Sequence, residues 1–111
     1  FSGWKRDNIS VDFLGNSVIM GNKILFQGNI PAGVSIGCEI CEDLWVPIPP
    51  SANHALAGAT VLVNPSASNG TTGKDAYRRN LVGVQSATLV AAYICKCRRW
   101  RINVRCCFHW A

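Results

Sequence analysis

Gly33-Val-Ser-Ile-Gly-Cys-Glu-Ile-Cys41, followed by Glu42-Asp-Leu-Trp-Val-Pro-Ile-Pro-Pro50-Ser51, decides the fold of this 111-residue chain. Residues 33–41 read as a strand and are largely apolar, as an interior strand should be. Prolines 47, 49 and 50 remove backbone donors and fix φ, so residues 45–50 cannot continue the strand. A cysteine ends the strand just where the chain must turn. Ser51 is placed to cap a short helix over 51–57, with Gly58 as its stop.

Downstream, residues 60–64 (Thr-Val-Leu-Val-Asn) form a short apolar β-prone run. Residues 65–73 are rich in Ser, Asn, Thr and Gly and read as a loop. Thr72-x-x-Asp75 resembles a capping box. Tyr77, Leu81, Val84, Thr88 and Ala91 then follow at helical spacing, predicting a helix over 74–90 with that face inward. Residues 91–95 read as one more strand. Upstream, residues 9–14 alternate apolar and polar as a half-buried strand does, and Gly15-Asn16 reads as a turn. Residues 17–20 and 23–26 flank Gly21-Asn22, predicting a hairpin. Strand, helix, strand, helix, strand is the order of an α/β layered domain with neighbouring strands in one sheet.

Composition agrees with one packed domain. Hydrophobic residues make up 49% and charged residues 15%, enough apolar surface to exclude an ordinary disordered segment. No apolar run of about 18 residues exists, so no membrane span is expected. The start, Phe1-Ser2-Gly3-Trp4, has neither an initiator Met nor a signal-peptide pattern and reads as cut from something longer. The net charge of +5 is confined to one place. Residues 1–95 carry six basic and six acidic side chains, whereas Lys96, Arg98, Arg99, Arg101 and Arg105 stand without an acid. Cys97, Cys106 and Cys107 crowd into the same 16 residues, and every glycine precedes them. The chain is therefore divided at 95, and its charge gives no general reason to expect nucleic-acid binding.

Two chemical readings compete for the cysteines. Cys38-x-x-Cys41 with Cys95, Cys97, Cys106 and Cys107 has the elements of a zinc site. However, strand alternation turns Cys38 and Cys41 to opposite faces, and adjacent cysteines serve one tetrahedral ion poorly. The other reading makes Cys41 a nucleophile. A strand fixes its Cα, and the N–H groups of the following loop can face an oxyanion. Spacing alone leaves Cys41 as readily a small buried hydrophobe.

Glu39-Ile-Cys-Glu-Asp-Leu-Trp-Val-Pro-Ile-Pro-Pro-Ser51 closely resembles the nucleophile segment of the glutaminase domain of glutamine-dependent NAD synthetases, within the nitrilase (carbon–nitrogen hydrolase) superfamily. The likeness runs through 57–64, Ser66-Ala-Ser-Asn69, Gly73-Lys74, Tyr77-Arg-Arg79, Gln85-Ser86 and Ala91-Ala-Tyr93. It implies a partial α-β-β-α sandwich and a Glu–Lys–Cys triad acting on the side-chain amide of L-glutamine. Cys41 matches the nucleophile, and Glu42, Ser68 and Lys74 match glutamine-contacting positions. Cys38 is assigned to strand packing, Asp43 and Trp45 to shaping the loop, and Arg78 and Arg79 to a solvated helix face. The triad's Glu and Lys match nothing here, since Lys5 and Lys23 stand in no matching context. The resemblance further implies a cytoplasmic, homo-oligomeric parent whose separate synthetase domain uses ATP and Mg, with no cofactor, metal, nucleic acid or membrane bound by this segment. An amidase or nitrilase is the alternative within the superfamily, and a small zinc- or nucleic-acid-binding protein the alternative outside it. After residue 95 the family continues with a Gly-rich loop, which codons permitted for residues 96–111 can be chosen to spell when reread one nucleotide later. Those residues are expected to be an out-of-frame tail, which sequencing the DNA past codon 95 checks.

Overall fold

The computed structural model describes residues 8–29, 32–67 and 71–97. It holds two sheets and two α-helices. The first sheet is a hairpin of β1 (Ile9–Phe13) and β2 (Asn16–Met20), with Ile9 opposite Met20 and Phe13 opposite Asn16. The second has the order β3 (Leu25–Gln27), β4 (Ser35–Cys38), β5 (Val61–Ser66), β6 (Ala92–Cys97). Only the β3–β4 pairing in it is antiparallel. Helix α1 (Pro50–Leu56) carries the crossover from β4 to β5, and α2 (Lys74–Leu89) carries that from β5 to β6. Parallel neighbours need such crossovers, because a tight turn cannot join them.

The helices pack on β4 and β6 respectively and touch one another, so they cover one face of this sheet. On that face Gly37, Leu62 and Tyr93 lie in one row of the register, and Asn64 and Cys95 in the next. Leu62, Tyr93 and Cys95 join Leu44, Ala59, Val82 and Ala91 in the core. The opposite face carries Ile36, Val61, Val63 and Ile94, all half-buried. Such a face is what an α-β-β-α sandwich turns towards its second sheet.

Several expectations are corrected. The hairpin forms one unit earlier than predicted, between β1 and β2, while β3 leaves Gly21-Asn22 to pair with β4. Two Gly-Asn dipeptides six residues apart gave equal local signals. At Gly21 the chain passes hard against Asn8, where a Cβ would overlap the asparagine side chain. The β1–β2 turn is Leu14-Gly15 rather than Gly15-Asn16, with φ of 53° and 76° as a two-residue primed turn requires. Asp12 Oδ1 accepts the Gly15 N–H there at 3.1 Å.

Ser51 is not the cap of α1. Pro49 takes that place and Pro50 opens the helix, where a missing N–H costs nothing. Gly58 stops the helix as expected, at φ 98° with its N–H on Ala55 O. β5 runs to Ser66, two residues into the predicted loop, and β6 runs from Ala92 to Cys97. Helix α2 starts after Gly73, whose left-handed φ of 82° replaces the Thr72 capping box. Its inward face is Arg78, Val82 and Ser86, with Leu81 and Leu89 against the core. Tyr77 and Val84, predicted inward, are 58% and 61% exposed. Arg78, predicted solvated, is buried at 8% exposure. No helix among the described residues is long and apolar enough to cross a membrane. Residues 98–111, which carry most of the predicted tail, lie outside the described residues.

Candidate active site

Strand β4 ends at Cys38, earlier than predicted, and Cys41 is not a strand residue. It opens a single 3₁₀ helix, Cys41–Trp45, at φ 52°. A non-glycine residue is rare in this left-handed region and marks either a turn or a functional constraint. The local sequence builds the turn. Asp43 Oδ2 accepts the Ile40 N–H at 2.9 Å, and the Asp43 N–H reaches Ile40 O at 3.0 Å. This reciprocal pair starts the 3₁₀ helix and gives Asp43 the loop-shaping role expected of it.

Beneath the turn lies a buried polar network. Glu39 is 2% exposed and Asn64 1%. Glu39 Oε2 accepts the Ser51 N–H at 2.8 Å, tying the start of α1 to the end of β4. Glu39 Oε1 accepts from the Tyr93 hydroxyl and from Asn64 Nδ2, the latter at 3.4 Å. Asn64 Oδ1 takes the Cys41 N–H at 2.8 Å, and Asn64 Nδ2 donates to Cys41 O at 3.3 Å. Burial, then the hydrogen bond to Glu39 and its charge, pushes the Tyr93 phenol far above its ordinary range.

The Cys41 sulfur itself meets two polar side chains. Ser66 Oγ donates to Sγ at 3.3 Å, and Sγ donates to Glu42 Oε1 at 4.0 Å. Residues 64 and 66 share one face of β5, so a single strand addresses both the backbone and the sulfur of Cys41. Cys38 is exposed, but its environment is wrong for a nucleophile. Desolvation of its sulfur, then the Glu39 and Asp43 charges, raises its thiol and so disfavours the reactive thiolate.

Lys74 is the first residue of α2, with Nζ 5.9 Å from the Trp45 ring centroid. Trp45 stacks on Tyr77 at 5.3 Å and 13°. Cys41, Glu42 and Lys74 are thus linked through one short helix and its aromatic end. Ser68 lies outside the described residues. Among the described residues no three His, Cys, Asp or Glu side chains gather as a metal site, and Cys106 and Cys107 fall outside them. Sequence reasoning missed Asn64, Tyr93, Ser66 and the inward role of Glu39. The available signal was a polar residue inside each of two apolar strands, which burial obliges to find partners.

No protein-family model matches the chain. Curated relatives do. The glutamine-dependent NAD(+) synthetase of Mycobacterium tuberculosis is 48% identical over 80 residues, which is 72% of this chain and 12% of that protein. That of Mycobacterium leprae is 47% identical over 74 residues, covering 67% of this chain and 11% of that protein. Among solved structures, a glutamine-dependent NAD(+) synthetase from Cytophaga hutchinsonii superposes with a TM-score of 0.67 at 26% identity. The match covers 87% of this chain and 14% of that one. The chain therefore spans about an eighth of the length of these relatives. In sequence and in its mixed α/β, nitrilase-like fold, the chain is the homologous counterpart of one segment of the glutamine-dependent NAD(+) synthetases.

Proposed function

We propose that this segment carries the nucleophile of a glutaminase, working as part of a longer NAD(+) synthetase. The observation that supports this best is Cys41 itself, held at φ 52° beyond a buried strand with its sulfur against Ser66 and Glu42. The Cys41 thiolate attacks the side-chain amide carbon of L-glutamine. A C–S bond forms, the C–N bond breaks, and the general base passes the proton it took from the thiol to the departing nitrogen, which leaves as ammonia. Water then cleaves the thioester, releasing glutamate and restoring the thiol. Glu42, Ser68 and Lys74 contact the substrate, with Lys74 reaching its α-carboxylate.

The reaction also needs a general base and a cation beside the sulfur. We assign both groups to other segments of the protein. The 111-residue chain by itself is then expected to release no measurable ammonia from glutamine. We assign ATP and Mg to a separate synthetase domain that uses the ammonia to amidate nicotinic acid adenine dinucleotide. The parent is proposed to be a cytoplasmic homo-oligomer that binds neither nucleic acid nor membrane. We place the end of its glutaminase sequence in this chain at 95, with 96–111 out of frame.

The test is covalent trapping in the full-length protein that carries this segment. A glutamine analogue with an electrophilic carbon at the amide position should leave one adduct, on the Cys41 peptide. An adduct on Cys38, or none, refutes the assignment.

A further inference from the structure

Three non-glycine residues of the described chain have positive φ: Leu14, Cys41 and Val90. Chain geometry accounts for two of them. Leu14 sits in a two-residue hairpin turn, and Val90 caps the C-terminus of α2. Cys41 lies in neither setting: the Ile40–Asp43 pair closes the turn around it, and a second hold reaches it from outside its own segment. The holder is identifiable from the hydrogen bonds. One planar amide, that of Asn64, accepts the Cys41 N–H and donates to the Cys41 C=O. A residue whose own donor and acceptor are both engaged by one rigid group has little freedom left in φ and ψ.

The clamp works only with the amide in one of its two orientations. Reversed, Oδ1 would face the Cys41 carbonyl and the Glu39 carboxylate, which are acceptors alone, and Nδ2 would face the Cys41 N–H. Glu39 and Tyr93 select the working orientation. Nδ2 faces Glu39 Oε1 at 3.4 Å and the Tyr93 oxygen at 3.3 Å. The Tyr93 proton is committed to Glu39, which leaves an oxygen lone pair for Asn64. Glu39 is fixed in turn by the Ser51 N–H.

We propose that Asn64, oriented by Glu39 and Tyr93, is the positioning residue that holds Cys41 in its left-handed conformation and so aims Sγ at the amide carbon. This rests on the reading of Cys41 as the nucleophile. Asn64 touches no substrate. Its contribution belongs to the approach of sulfur to carbon, and hence to kcat rather than to glutamine binding, which Glu42 and Lys74 serve.

The test is Asn64→Asp in the full-length protein, assayed for glutamine hydrolysis beside Cys41→Ala. The aspartate keeps the size and one acceptor but loses both Nδ2 hydrogens and sets a second carboxylate against Glu39. A displacement near 1 Å at a reacting group costs about 10²-fold in rate. The expected result is a fall in kcat of about that size, with KM for glutamine within about twofold on the uniform-binding argument. A folded variant with unchanged kcat overturns the proposal, and so does a raised KM with kcat intact. If Asn64→Asp does not fold, Tyr93→Phe decides by the same split, because it removes only the hydroxyl that orients the amide. A Cys41→Ala protein that still hydrolyses glutamine brings down the nucleophile assignment and the proposal together. A dead Cys41→Ala beside a fully active Asn64→Asp brings down the proposal alone.

Discussion

Two Gly→Ala substitutions should move stability in opposite directions. Gly37 lies in β4 under α1, where an added Cβ would sit 2.7 Å from His54 Cβ, 2.8 Å from His54 Cγ and 3.2 Å from Leu62 Cδ2. Carbon atoms pack at about 3.5–4.0 Å, so α1 would have to lift by roughly 0.8 Å or more. His54 cannot swing clear, because the nearest atom is its Cβ, fixed to the helix backbone. Overpacking of this kind costs about 1–3 kcal/mol, against about 0.5–1 kcal/mol gained from a less flexible unfolded chain. Gly37→Ala should therefore destabilise, by up to about 2.5 kcal/mol net. Gly83 lies mid-helix in α2 with nothing within 4 Å of the added methyl. Gly83→Ala should stabilise by about 0.5–1 kcal/mol. Urea midpoints followed by far-UV circular dichroism compare the three proteins, and thermal midpoints should move about 4–8 °C for each kcal/mol. A stabilising Gly37→Ala would refute the close packing of α1 on β4. A destabilising Gly83→Ala would refute the reading of α2.

In the full-length protein, Cys41→Ala should abolish glutamine-driven NAD synthesis and spare synthesis from free ammonia, while Cys38→Ala should keep both; the reverse pattern would move the nucleophile to Cys38. Ser66→Ala, which removes the donor 3.3 Å from the sulfur, should lower kcat for glutamine by about tenfold, the worth of about one hydrogen bond to a charged group; an unchanged kcat would disprove that contact. Tyr93 keeps its proton in the folded state at pH values where the unfolded chain releases it, so stability is full below about pH 10 and falls as pH rises above it; Tyr93→Phe should flatten that alkaline fall in a pH series of urea midpoints. Val90, 81% exposed at φ 49°, pays a left-handed penalty, and Val90→Gly should raise stability by about 1 kcal/mol, seen as a higher urea midpoint.

What was legible in the sequence was what local chemistry decides. Apolar runs bounded by turn residues placed β4, β5 and β6 to within a few residues, and Gly58 ended α1 where expected. Helix α2 was legible as a helix but not in its orientation. Its inward stripe includes Arg78 and Ser86, which no hydropathy pattern selects, while Tyr77 spends its ring on Trp45 at the surface. The β1–β2 pairing was lost because two equivalent Gly-Asn signals compete and only the whole sheet arbitrates. Cys41 was legible through its resemblance to known nucleophile segments. Its supports were not, because Asn64 stands 23 residues away and Tyr93 stands 54 residues from Glu39. Contacts at such separations leave no periodicity to read.

The same contacts explain why polar groups occupy the centre of this fold. Filling the space of Glu39, Asn64 and Tyr93 with apolar side chains could bury comparable area, but Cys41 would then lose the clamp on its N–H and C=O. A buried network that is fully paired specifies one geometry, whereas a half-paired one costs more than none. Here each bond depends on the one before it. Close packing at Gly37 seats α1, α1 presents the Ser51 N–H to Glu39, Glu39 and Tyr93 orient Asn64, and Asn64 holds Cys41. Loosening α1 on the sheet should therefore reach the nucleophile without touching it. In the full-length protein, Gly37→Ala is expected to lower kcat for glutamine beyond what its folded fraction explains. A loss of activity that tracks only the folded fraction would show that packing and nucleophile are independent, and would cut this chain of dependence at Ser51.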